Sequence, residues 1–266
     1  MKPSSIRVFA TSAFVALVFL PAFSQAQLRR IQVTAENLAP TNSISFAPLR
    51  VGFNNGSYDS FNIGQTPTAP IISIAEGGSG NAWFPAFAAA DPNATLGSVV
   101  PSPAGPLLPS GMAAALFDID TDLNPFFTFG SMVVPSNDYF IGNDDPQEYQ
   151  LFDVAGNLIL NEINVIASEI WDNGSELFDP ANAAFLVGGN NALRTPQNGV
   201  VNFDFAELAG FNGLTTGAGY VFNSQLTANT PVYRIRFTVV AIPEPGTAAL
   251  VGIGMLGMVL RRRRRA

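Results

Sequence analysis

The chain of 266 residues has no cysteine and no histidine, and only 13 of its residues are lysine or arginine. Without cysteine there is no disulfide, so an exported form of this chain would depend on its core and on any bound metal for stability. Without histidine and cysteine there is no Ser-His-Asp or Cys-His nucleophile system, and no zinc site built from those ligands. The scarce basic residues also lie mostly at the ends. Lys2 and Arg7 open the chain, and Arg261, Arg262, Arg263, Arg264 and Arg265 close it, leaving six arginines and no lysine between them. A P-loop, which needs its lysine, is therefore excluded from the central region. Set against 20 acidic residues, these counts give the central region a net charge near −13 or −14. Nucleic acid is excluded as a partner because phosphate binding requires a clustered basic surface. Cations and neutral or basic polymers fit such a surface, and the catalysis left open is that of a carboxylate pair or a metal held by oxygen ligands.

Long apolar runs are confined to the two ends. Residues 1–7 carry Lys2 and Arg7, residues 8–23 are largely apolar, and Ser24-Gln25-Ala26 follows with small residues at alternate positions. A basic start, a short apolar run and a small-x-small site read as a secretory signal peptide over residues 1–26, removed by signal peptidase. Near the other end, residues 247–260 form an uncharged apolar run that precedes the five arginines. That run reads as a short transmembrane helix, with Arg261, Arg262, Arg263, Arg264 and Arg265 on the cytoplasmic side and the central region outside. The order Pro243-Glu244-Pro245, apolar helix, arginine cluster resembles the PEP-CTERM sorting signal of Gram-negative bacteria. The resemblance implies that residues 242–266 are recognised by an exosortase. It further implies inner-membrane anchoring before processing, then delivery to the cell surface or the extracellular space.

Between the ends, residues 27–241 read as one all-β domain. "IQVTAENL" and "PVYRIRFTVV" alternate apolar and polar residues, the pattern of half-buried strands. Further strands are expected in "SISFAPLRVGF", "PIISIAE", "MAAALFDIDTDL", "FFTFGSMVV", "YQLFDVAGNLIL", "NEINVIASEIW" and "GVVNFDF". Ala155-Gly156-Asn157 predicts a hairpin turn, and "FPAFAAADPNA" a helical turn or two ending at Pro92. Short strands without a βαβ rhythm predict an antiparallel β-sandwich. The proline-rich residues 98–111 then form a long loop within it, a domain linker being the alternative.

"SMVVPSNDYFIG", from Ser131, resembles the central signature of the spondin N-terminal domain. Further similarity lies, in order, in residues 46–65, in "IAEGG", in "LLPSG" and in "IWDNGSELFDPANAAF", and it spans residues 28 to 240. The resemblance implies a spondin-like antiparallel sandwich of the extracellular-matrix kind. It also implies a calcium site in which Asp138, Asp172 and Glu176 are ligands, Glu176 standing where matrix members have Asp. Asp172-Asn173-Gly174-Ser175-Glu176 does offer oxygen side chains around a turn-forming glycine, as a calcium loop requires. Capping of turns by Asp138 and Asp172 is the alternative reading.

Other clusters are weaker. Asp118, Asp120 and Asp122 have Leu123 where an EF-hand needs glycine and read as the exposed face of a strand. Asp144 and Asp145 read as an exposed turn, and Trp83, Trp171 and Tyr139 as core rather than as a sugar-stacking platform. The expected function is a non-enzymatic calcium-binding surface or matrix module for adhesion or for organising extracellular polysaccharide. A glycan hydrolase using paired acids such as Glu162, Glu169 or Glu176 is one alternative, and a self-associating structural matrix protein is another.

Overall fold

A computed structural model describes residues 28–241. The signal peptide expected at residues 1–26 lies outside the described residues. So does the sorting tail expected at 242–266, with Pro243, Glu244 and Pro245, its transmembrane helix, and Arg261, Arg262, Arg263, Arg264 and Arg265. Among the described residues no helix is long and apolar enough to cross a membrane.

Two antiparallel sheets face one another. The smaller contains β5 (Met112–Asp120), β1 (Leu28–Asn37), β12 (Pro231–Val240) and β9 (Glu162–Ile166), in that order. Its two long central strands pair over eight residues, from Arg30 opposite Val240 to Asn37 opposite Tyr233. Alternation explains the pairing: Ile31, Val33 and Ala35 of β1 and Tyr233, Ile235 and Phe237 of β12 are buried. The outward positions hold Arg234 and Arg236, which are salt-bridged to Glu36 and Glu162.

The larger sheet has the order β11 (Asn202–Phe203), β10 (Trp171–Asp172), β7 (Tyr139–Gly142), β6 (Phe126–Val134), β3 (Leu49–Asn54), β4 (Thr95–Val99). The short strands β2 (Ser45–Phe46) and β8 (Tyr149–Gln150) also pair with β6. Phenylalanine fills the space between the sheets. Phe127 of the larger sheet meets Phe237 of the smaller edge-on at 4.8 Å between ring centres, and Phe46 meets Tyr233 at 4.5 Å. One continuous buried cluster contains residues of both sheets, which makes the architecture a sandwich.

Two helices cover the outer face of the larger sheet, and the first corrects the strand expected at "PIISIAE". Residues Ala69–Ala75 form α1, capped by Thr68 and entered through Pro70, with Ile71, Ile74 and Ala75 buried. Buried positions at i, i+3 and i+4 belong to a helix, and the isoleucine-rich composition that suggested a strand is overridden by the cap and the packing. The helical segment expected near residue 92 is α2 (Trp83–Ala90), ending at Asp91. Both helices settle over glycines. Gly130 of β6 leaves room for Ile74, and Gly52 of β3 leaves room for the ring of Phe87. The proline-rich stretch supplies the end of β4 and then a loop, tied to the sandwich where Phe46 bridges Leu107. The hairpin around Gly156 is small: Phe152 bridges Leu158, and Asp153 and Asn157 bond across the turn.

Candidate functional site

The loop between β6 and β7, residues 135–138, is locked to the segment 172–184 that starts in β10. Asp138 is 1 % exposed, and its Oδ2 accepts hydrogen bonds from Ser175 N at 2.8 Å, Glu176 N at 2.9 Å and Ser175 Oγ at 3.2 Å. Asn137 does the same work one residue earlier, accepting from Asp179 N at 3.0 Å and donating to Asp179 O at 3.1 Å. Ser136 O in turn accepts from Ala184 N at 2.9 Å. The Pro-Ser-Asn-Asp stretch is thus a clamp whose three polar residues satisfy the backbone of a neighbouring loop that has little secondary structure of its own.

Asp172 begins that loop. Its Oδ1 accepts from Gly174 N at 2.8 Å, the turn that a positive backbone angle at Gly174 (φ +68°) permits. Burial, then the charge of Asp172, pushes the Asp138 carboxyl up to about 7. Asp172 is pushed up to about 6, by burial first and then by the charges of Glu207 and Asp204. The structure therefore brings Asp138 and Asp172 into one electrostatic environment.

It directs Glu176 elsewhere. The Glu176 carboxyl is buried, accepts from Asn137 Nδ2 at 3.3 Å, and has Arg194 Nη1 3.4 Å from Oε2, an ion pair too poorly aligned to count as a hydrogen bond. Arg194 bonds more closely to Glu76, at 2.7 Å. Burial still raises the Glu176 pKa. Among the described residues no three acids approach closely enough to hold one metal ion. What Asp138 and Asp172 offer a cation is a pair of partly desolvated carboxyls whose mutual repulsion a positive ion would relieve.

Two acids near this pair carry no motif that would have drawn attention to them. Tyr139 Oη lies 3.0 Å from Glu207 Oε2 and 3.3 Å from Asp204 Oδ2, so one phenolic proton serves two acceptors. Both acids come from the segment after β11. Asp204 falls in the strand expected at "GVVNFDF" and Glu207 just beyond it, so neither is singled out as a site residue.

The acids expected to form a catalytic pair are dispersed. Glu162 pairs with Arg236 at 2.9 Å on the outer face of the smaller sheet, and Glu169 caps its own 3-10 turn by accepting from Ile166 N at 2.9 Å. Glu162, Glu169 and Glu176 therefore occupy three different surroundings. Asp118 pairs with Arg30 at 2.7 Å, and Asp120 Oδ1 caps a turn at Asp122 N, as an exposed strand end would. Trp83, Tyr139 and Trp171 are all under 5 % exposed and belong to the packed interior.

The last described strand, β12, ends at Val240. Comparison with curated proteins finds no match for the chain. Residues 241–265 match the PEP-CTERM protein-sorting motif. The matched stretch contains Pro243, Glu244 and Pro245 together with Arg261, Arg262, Arg263, Arg264 and Arg265, the residues expected to form the signal. Exosortases recognise this signal, and the motif implies an exported protein sorted to the cell surface.

Proposed function

We propose that the chain is a non-enzymatic surface module, held in the inner membrane by its tail until an exosortase processes it, and then used for adhesion or for organising extracellular polysaccharide. The observation that carries this reading is the sorting motif at 241–265, which starts directly where the sandwich ends. The similarity to spondin N-terminal domains supports the adhesive role, and an antiparallel sandwich is the kind of scaffold such domains use. Within the same reading, calcium is held by Asp138 and Asp172, with Glu176 positioning the loop through its backbone N–H. Bound there, the ion neutralises two carboxyls that burial and proximity otherwise disfavour as a charged pair.

Two measurements test this. Replacing Pro243, Glu244 and Pro245 together by alanine should stop processing, leaving the uncut mass in the membrane fraction and no protease-accessible protein on the surface. Unchanged surface delivery overturns the sorting reading. For calcium, the purified full chain in detergent is melted with calcium and with chelator, beside Asp172→Ala. A ligand at a hundred times its Kd stabilises by about 2.7 kcal/mol, roughly 5 to 11 °C for a domain of this size. The shift should vanish in the variant, and no shift in the parent protein overturns the calcium assignment.

A further inference from the structure

Away from the Asp138 loop, a cleft of about 290 Å³ opens beside the ends of β7, β9, β10 and β11. Four acids line it, Asp144, Asp145, Glu148 and Glu169, together with the rings of Tyr149 and Phe203. Phe203 is 48 % exposed, yet it is held flat against the buried Trp171, ring centres 3.7 Å apart and planes 22° apart. Trp171 is itself fixed by its Nε1–H donating to Gly142 O at 2.9 Å. An exposed aromatic face supported from behind by a second ring is preorganised for a ligand.

The charge of the cleft has no counterpart within the described residues. All six arginines there are engaged elsewhere. Arg30 pairs with Asp118, Arg194 with Glu76 and Glu176, and Arg234 and Arg236 with Glu36 and Glu162. Arg29 donates to Gly156 O, while Arg50 donates to Gly78 O and Ser98 Oγ. No lysine or histidine stands among residues 28–241. The acids feel one another: burial, then Asp145, Glu169 and Asp144, raise the Glu148 pKa. Asp144 Oδ1 is buried without a hydrogen-bond partner. The charge to balance this cleft must come from outside.

The form of that charge follows from the geometry. The acids are too dispersed for any three to close on one metal ion, and much of the wall is aromatic, which offers a metal no ligand. An organic ammonium suits both features. It can hydrogen-bond a single carboxylate while the other acids act on it through their charge, and it is attracted to ring faces. A sugar ring bearing that group adds an apolar face for Phe203 and hydroxyl donors for the remaining carboxylate oxygens. Anionic polymers are repelled. We propose that this cleft binds the protonated amino group of a de-N-acetylated, glucosamine-type unit of an extracellular polymer. The assignment deepens the surface-module reading and rests on it for where the polymer is met.

The test is calorimetric titration of the full chain in detergent with a glucosamine tetramer and with its fully N-acetylated counterpart, in chelator. Binding of the amine form alone is expected, weakened about tenfold or more in Glu148→Gln and in Phe203→Ala, and weakened by added salt. Glu148→Gln is isosteric, so an unchanged melting temperature certifies the fold. Equal binding of the N-acetylated tetramer, binding of neither, or binding indifferent to both substitutions overturns the proposal. Unchanged surface delivery of the alanine variant in the tail experiment overturns the module reading and leaves the calorimetric result intact.

Discussion

At the residue scale the decisive groups are a glycine and two carboxyls. Gly174 has φ +68°, and a Cβ there would stand 2.6 Å from Val200 O and 2.7 Å from Val200 N. Gly174→Ala should therefore destabilise the protein by about 2 kcal/mol or more, since the left-handed conformation and the backbone contact both oppose a side chain. A urea titration that leaves the midpoint unmoved refutes this. The carboxyls predict a pH dependence. Asp138, at about 7, and Asp172, at about 6, both lie above their ordinary value of 3.8. A carboxyl raised in the folded state binds its proton more tightly there than in the unfolded chain. Its contribution is thus fully present below about pH 4 and is lost as pH rises through 6 to 7. In chelator the melting temperature should rise as pH is lowered from about 8 to about 5, and Asp138→Asn should flatten part of that rise. Calcium, which favours the ionised pair, should stabilise more at the alkaline end of that range than at the acid end. A melting temperature that falls steadily as the solution is acidified, with no change of slope in the variant, would show that the pair is not desolvated as described.

Elements are held in place by what glycines leave out. A Cβ on Gly52 would lie 2.4 Å from Phe87 Cε1, so β3 can accept α2 only with no side chain at that position. Gly52→Ala should cost about 1 to 3 kcal/mol through overpacking, and Phe87→Leu should restore part of it in the double variant, a coupling that a double-mutant cycle measures. Additive losses would mean that the ring is not the obstacle. Elements also differ in how far local spacing announces them. β1 and β12 are legible because inward and outward residues alternate along their length, and local spacing alone encodes that face. α1 was not, because isoleucine at 71, 72 and 74 favours a strand until Thr68 caps the segment and the β6 surface buries one side. Strands β8, β10 and β11, of two residues each, leave no period to detect. They exist only because a neighbouring strand offers them hydrogen bonds.

Across the whole molecule, charge is the dominant unbalanced quantity. Residues 28–241 contain nineteen acids and six arginines, and the compact state brings those acids closer together than the unfolded chain does. Raising sodium chloride from about 10 mM to about 150 mM shortens the Debye length from about 30 Å to about 8 Å and should raise the melting temperature by a few degrees. A salt-independent melting curve would mean that the acids are neutralised or well separated. Stability must otherwise come from the phenylalanine-rich interior, because no disulfide contributes.

The sequence by itself determined the chemistry that is excluded, the sorting tail, and the antiparallel β class. Each of these depends on composition or on residues within one turn or one strand of each other. It also pointed to Asp138 and Asp172, because both sit in short motifs. Only the tertiary structure decided that Glu176 turns to Arg194 and Asn137 instead of joining them, and that Asp204 and Glu207 lie around Tyr139. It alone assembled the cleft, whose acids and rings come from separate stretches of chain. Such meetings are set by the register of strands paired across long distances, where a shift of one residue reverses every side chain. No local pattern records that register.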